Sequence, residues 1–272
     1  MNFRSVLKSA VSTVILAGLT LVANISSSQS VASLHLTLGN PSNASLSSSV
    51  YWNYLMQKNQ YAIGYSRYDG VPKWVSWHLG RVDLGNSGRT SSFSPETSLP
   101  TGWYRPIPTD YSGTGFDRGH NCPSGDRTAT ETDNRATFLM SNIFPQAPDN
   151  NQGPWAILED YCRQQVLLGK ELYIMTTWSG SHATIANGRV KVPSWLHKII
   201  VVLPEGSNDL SRINSATRVI AISMPNVQGI RNNNWKNYRV TVDSIETVTG
   251  YNFLSNVSAD IQAVLESRVD NL

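Results

Sequence analysis

Residues 136–169 read ATFLMSNIFPQAPDNNQGPWAILEDYCRQQVLLG, and the two halves of that stretch ask for different structures. Ala136 to Ile143 is a short apolar run stopped by Pro145, the pattern of a buried strand. From Asn150 to Gly169 the pattern predicts a helix. Asp149 or Asn150 can cap its start, Pro154 is tolerated in the first turn, and Gly169 ends it. Working outward, YAIGYS (Tyr61 to Ser66) and KWVSWHL (Lys73 to Leu79) predict a hairpin turned at Tyr68-Asp69-Gly70. Gly85 to Gly115 is full of Gly, Pro, Ser and Thr and predicts a long surface excursion. Strand-like runs follow at Leu172 to Thr176, Lys198 to Leu203 and Arg218 to Ser223. Two short helices, Ile245 to Thr249 and Ala259 to Val269, close the chain. Strands and helices mixed without a βαβ rhythm predict an α+β fold, with a largely antiparallel central sheet and flanking helices.

The start of the chain reads as an address. Met1 to Ser9 carries Arg4 and Lys8 and no acid, Ala10 to Ala23 is apolar, and small and polar residues follow. That is the layout of a secretory signal peptide. The apolar run is shorter than the ~20 residues of a spanning helix. We therefore expect residues 1–30 to be a signal peptide, cleaved somewhere from Ala23 to Ala32. Residues 31–272 then form one domain in the periplasm or the medium, with no membrane attachment. The whole chain carries +3, but without Arg4 and Lys8 it has 20 basic and 19 acidic residues. A net charge so close to zero gives no compositional case for nucleic-acid binding, so any attraction to phosphate must come from local clustering.

The densest polar constellation lies between Asp117 and Arg163. It opens with Asp117-Arg118-Gly119-His120, continues through Ser141-Asn142-Ile143-Phe144-Pro145-Gln146, and ends with Asn151 and Glu159-Asp160-Tyr161-Cys162-Arg163. On an ideal helix the steps from Asn151 to Glu159 and on to Arg163 rotate by roughly 80° and 40°, so all three share one side. Phosphodiester hydrolysis needs such groups. An imidazole takes the proton of the attacking water near neutral pH. A hard divalent cation and an arginine suit the charge that grows on the phosphate oxygens. Taken singly, each motif has a plainer reading. DRGH can be a turn with an Asp–Arg pair, Glu159 and Arg163 a solvated helix pair, Asn151 part of a helix start, and Asn142 a structural amide.

In their joint order these blocks, with FSPETSLP at Phe93 to Pro100, resemble the DNA/RNA non-specific endonuclease family, whose core is the ββα-metal, or His-metal, finger. The resemblance runs from Leu38 to the C-terminus. It implies His120 as general base, Asn151 as metal ligand and Glu159 as the acid near the metal's waters. Arg163 and Arg89 become contacts to phosphate or developing charge, and Asn142 and Arg118 supporting members of the catalytic set. It further implies Mg²⁺ or Mn²⁺, a single-metal in-line attack and products with 5′-phosphates. Single- and double-stranded DNA and RNA are the implied substrates, and a cytoplasmic inhibitor protein the implied partner. One position departs from the family: an apolar residue usually follows the histidine, and here it is Asn121. That puts the packing around His120 in question.

Several residues stay open at this level. Arg105, Arg127 and Arg135 either extend a basic track or serve the surface. Trp103 and Tyr111 either stack on bases or, as we favour, pack the long loop. The other histidines, His35, His78, His182 and His197, are expected to do no chemistry. Cys122 lies two residues beyond His120 and Cys162 one before Arg163, and if strand and helix face each other they come within disulfide reach, ~4.4–6.8 Å between Cα atoms. Otherwise they are two small buried thiols. A non-catalytic exported binding protein and a phosphodiesterase of small diesters are the competing functions, and the oligomeric state is left open.

Overall fold

A computed structural model describes residues 34–272; the expected signal segment lies outside them. The expected hairpin forms, with β2 (Ala62–Tyr65) and β3 (Pro72–Leu79) antiparallel. It belongs to a seven-stranded sheet that runs from β1 (Tyr54–Gln57) through β2 and β3. The sheet continues across β6 (Lys170–Ile185), β7 (Val190–Pro204), β8 (Arg218–Pro225) and β9 (Arg239–Val240). Every neighbouring pair is antiparallel. A separate two-stranded ribbon pairs β4 (Asp117–His120) with β5 (Ile143–Gln146). Four helices matter below: α1 (Glu131–Ala136), α2 (Ala156–Leu167), α3 (Val242–Thr249) and α4 (Ala259–Glu266). The α+β expectation holds.

The central strands are apolar on both faces, because alternate residues point to opposite sides. Trp77 on β3 lies opposite Ile174, which lies opposite Ile200, which lies opposite Ile220. This row packs with Trp155, Leu158, Cys162 and Val166, the buried stripe from the turn before α2 along that helix. The intervening residues Tyr173, Met175, Ile199 and Val201 pack on the other face with Val242, Ile245 and Leu265 from α3 and α4. The sheet is thus a filled middle layer. The ββ ribbon and α2 lie on one side of it, and the C-terminal helices on the other.

Three expectations change. The strand predicted over 136–143 exists only from Ile143 on: α1 ends at Ala136 and a turn fills the interval. The Asn142 amide holds that turn by donating to the carbonyls of Thr137 and Cys122, both at 2.8 Å. Pro145 lies inside β5 rather than beyond it, which a two-stranded ribbon tolerates because an edge can lack an N–H. The helix predicted from Asn150 is broken. A short turn at Pro148–Asn150 and a wide turn at Asn151–Trp155 precede α2, with Gly153 out of helical geometry at φ −113°, ψ −120°. A Cβ at Gly153 would lie 2.6 Å from the Arg231 carbonyl oxygen, so glycine lets that segment cross the kink.

The third change concerns the cysteines. Both are free and buried, so the thiol reading holds and the disulfide does not. The long excursion is also less superficial than its composition suggests. Glu96, Leu99, Trp103 and Tyr111 are buried, and Trp103 meets Tyr54 and Tyr65. The two aromatics therefore pack, as favoured. Among the described residues no helix is long and apolar enough to cross a membrane.

Candidate active site

β4 ends at His120, and its register against β5 sets His120 opposite Ile143. The imidazole is held between two phenyl rings, with Phe138 edge-on at 4.8 Å and Phe93 tilted at 5.4 Å between centroids. It is 8% exposed, and its Nε2 is buried without a hydrogen-bond partner. Burial, and then the nearby Arg89 guanidinium, push its pKa down to about 3. Buried orphan nitrogens are rare in folded proteins and call for an explanation. The imidazole is neutral here and holds a lone pair at ordinary pH.

The same two rings organise the arginines. Arg118 lies over Phe93 at 4.7 Å, and Arg89 over Phe138 at 5.1 Å. Arg118 shares the His120 face of β4, since they are two residues apart, and donates to the Pro108 carbonyl at 3.3 Å. Arg89 donates to Ser124 Oγ at 2.7 Å and lines a cavity of ≈ 270 Å³ together with Ser124, Gly125, Glu159 and Arg163. Arg163 is fixed by Asp126 at 2.9 Å and also meets Asp160. Asp126 is held in turn by the Trp77 indole at 3.0 Å. A side chain at Gly125 would meet the Arg163 guanidinium at 2.8 Å, so that arginine would have to shift to admit one.

Glu159 sits one turn before Arg163 on α2 and keeps the shared face that the spacing predicts. Burial raises its pKa, and Lys198 opposes that rise from 3.3 Å away. Lys198 is 1% exposed, with its ammonium over the Trp155 ring at 4.2 Å. The kink at Gly153 separates Asn151 from this helical stripe. Asn151 is instead tied to the ribbon: its Nδ2 donates to Asp117 Oδ2 at 2.8 Å, and Gln152 donates to the same oxygen at 2.7 Å. The Asn151 amide oxygen is left without a hydrogen bond among the described residues.

Asn142 does not face the cavity. It is fully buried and bonded on all sides to backbone, and its oxygen accepts from Cys122 N–H at 3.0 Å. It positions the turn that packs beside His120, in keeping with the supporting place expected of it. Asn121, the departure from the family pattern, is satisfied in the core: it donates to the Asn142 carbonyl at 2.9 Å and accepts from Thr176 at 2.8 Å. The packing doubt is thereby resolved by hydrogen bonding.

The basic track imagined for Arg105, Arg127 and Arg135 is not there. Arg127 is buried and donates to the carbonyls of Gln60, Asp126 and His78. Arg105 holds the carbonyls of Glu96 and Leu99, and Arg135 pairs with Glu131 on the surface. The other histidines lie in structural bonds: His35 with Asn59, His78 with Glu171, His197 with Ser179, and the exposed His182 with Ser194. His78, Glu171 and Asp209 cluster, but Arg212 already pairs with both acids. Sequence reasoning missed Asp126 and Lys198 and the cage of Phe93 and Phe138. A lysine inside the apolar run WLHKIIVVL was the one available signal for Lys198.

The family model described as DNA/RNA non-specific endonuclease matches residues 44–260. A nuclease from Nostoc sp. is 51% identical over 239 residues, covering 88% of this chain and 87% of its own. Nuclease C1 from Cunninghamella echinulata is 30% identical over 218 residues, covering 74% and 83%. A crystal structure of an EndoG/EndoGI complex, concerned with EndoG inhibition, shares the fold. It matches with a TM-score of 0.71 at 22% identity, over 85% of this chain and 94% of that one.

Proposed function

Because this chain belongs to the DNA/RNA non-specific endonuclease family, and is therefore a hydrolytic nuclease, we propose the following mechanism and setting for it. It is exported, and it cuts DNA and RNA endonucleolytically with little sequence preference, His120 acting as general base and the products carrying 5′-phosphates. The observation that carries this reading is His120 itself: a neutral, buried, partnerless imidazole beside Arg89, which also lines the cavity of Glu159 and Arg163. A competing reading as a binding module has no use for such a group. Export rests on the composition of residues 1–30, and a cytoplasmic inhibitor protein is the natural partner of so general a nuclease before export.

In the reaction, Arg89 and Arg163 seat the phosphate by charge-assisted hydrogen bonds, and Arg118 steadies the same region from across Phe93. A phosphate beside Arg89 offsets the guanidinium charge that, after burial, holds the His120 pKa down. The incoming anion thereby strengthens the base that must take the water's proton. Recognition through backbone phosphate rather than base edges accounts for indifference to sequence and sugar. The residues fit a metal of the hard, oxygen-loving kind. The unbonded Asn151 oxygen would hold Mg²⁺ or Mn²⁺, with Glu159 facing its waters. When bound, the ion supplies charge stabilisation to the leaving oxygen.

Supercoiled plasmid, single-stranded DNA and RNA should all be cut, EDTA should stop each cleavage, and new ends should accept label only after phosphatase treatment. Refusal of either sugar, or undiminished cutting in EDTA, would sink the reading, and activity confined to small diesters would replace it. Asp117 supplies a separate test, since its carboxylate fixes the Asn151 amide. Asp117→Ala should weaken metal activation by about 10- to 100-fold, as loss of a ligand's hydrogen-bond partner does elsewhere. Raising Mn²⁺ should recover much of the lost rate. An unchanged metal dependence would remove Asp117 from the site.

A further inference from the structure

Beside the cavity of Arg89 and Glu159 lies a second, larger cleft of ≈ 580 Å³. The two share Gly125, Thr128 and Arg163 as common wall, so Arg163 stands where one opens into the other. The far wall of the larger cleft holds Arg81, Leu84 and Asn86, and Gln164 and Leu167 come from the end of α2. Its volume falls in the range of ligand clefts, roughly 300–1,000 Å³.

Arg81 is the informative residue. It is exposed, donates to the Leu84 carbonyl at 3.1 Å, and enters no ion pair among the described residues. The one acid in the lining, Asp160, is exposed and pairs with Arg163. This cleft therefore offers one guanidinium free to meet an anion. Beside it are the apolar side chains of Leu84 and Leu167, the latter exposed, and two neutral amides. A phosphate flanked by a sugar and a base matches that mixture, and an acidic peptide would leave the leucines unused.

We propose that this cleft is a flanking subsite for the substrate strand. The chain leaves the cavity of Arg89 and Glu159 past Arg163 and lays a neighbouring phosphate against Arg81, with its sugar and base on Leu84 and Leu167. The inference rests on the nuclease reading above and extends it, assigning to Arg81 the role in tracking the backbone that Arg105, Arg127 and Arg135 do not fill. Contact of this kind is independent of base identity, and its loss should weaken binding without slowing chemistry.

The test compares wild type with Arg81→Ala, Arg81→Glu and Arg81→Lys on two substrates. One is a single-stranded 20-mer, and the other is bis(p-nitrophenyl) phosphate, which is too small to span both cavities. For the 20-mer, Arg81→Ala should raise KM roughly fivefold, Arg81→Glu more, and Arg81→Lys little, with kcat held within about twofold. The salt dependence of kcat/KM should lose about one phosphate's worth of slope in Arg81→Ala. The small diester should be turned over alike by all four proteins. An unchanged 20-mer KM in Arg81→Glu overturns the subsite while wild-type cleavage keeps the nuclease reading intact. An equal KM rise on the small diester also overturns it, because the effect would then act through Arg163. Failure of wild type on both substrates removes the nuclease reading and the subsite together.

Discussion

His120→Asn is expected to lower kcat by about 10²- to 10⁴-fold, the usual worth of a positioned general base. Asparagine is the informative replacement, because it keeps a planar polar group between Phe93 and Phe138, whereas alanine would also open a cavity there. Thermal unfolding should stay close to wild type, separating lost chemistry from lost structure. The wild-type acid limb carries a second signature. With the His120 pKa pushed down to about 3 by burial and by Arg89, kcat/KM should show no ordinary histidine step near pH 6.5. A variant that kept more than a tenth of wild-type turnover would end the assignment of the base.

Lys198→Met is expected to be the most damaging change outside the reacting groups. Lys198 is the buried cation facing Glu159, and its ammonium also lies against Trp155. Removing one partner of a fully buried pair costs about 3–5 kcal/mol, since the other charge is left uncompensated, and with Glu159 14% exposed at the cavity wall the cost falls toward the lower end of that range. That corresponds to a fall in Tm of roughly 6–20 °C for a domain of this size. The sign with pH follows from Glu159, whose folded pKa is already raised by burial and is lowered by Lys198. Without Lys198 it rises further, so the folded state binds a proton more readily than the unfolded one. Stability is then gained as pH falls through that folded pKa. The deficit of Lys198→Met should therefore be larger at pH 8 than at pH 5. The double change Lys198→Met with Glu159→Gln should recover most of the deficit, as neutralising both partners removes the stranded charge. A deficit independent of pH, and undiminished in the double variant, would show that the lysine stem alone matters.

Legibility varied by the range over which each feature is decided. Continuous apolar runs identified β3 and the cores of β6, β7 and β8, because burial on both faces writes itself locally. The residues 136–143 misled for a different reason. Their apolar content reflects packing against the sheet, while their backbone is set by the Asn142 side chain bonding across the turn. The arithmetic that aligned Asn151 with Glu159 failed at Gly153, where a crossing segment rather than helix propensity sets the geometry.

The order of DRGH, Asn151, Glu159 and Arg163 along the chain resembled a nuclease family closely enough to name the hydrolytic activity, which membership of that family bears out. Their working condition was not in that order. Only the folded chain brought Asp117 to Asn151, Asp126 to Arg163 and Lys198 to Glu159, across 34, 37 and 39 residues. Only the folded chain buried His120 enough to keep it neutral, and consumed Arg127 in the core while leaving Arg81 free at a cleft. Ionisation and availability depend on dielectric and on neighbours distant in sequence, and these are properties of packing rather than of composition.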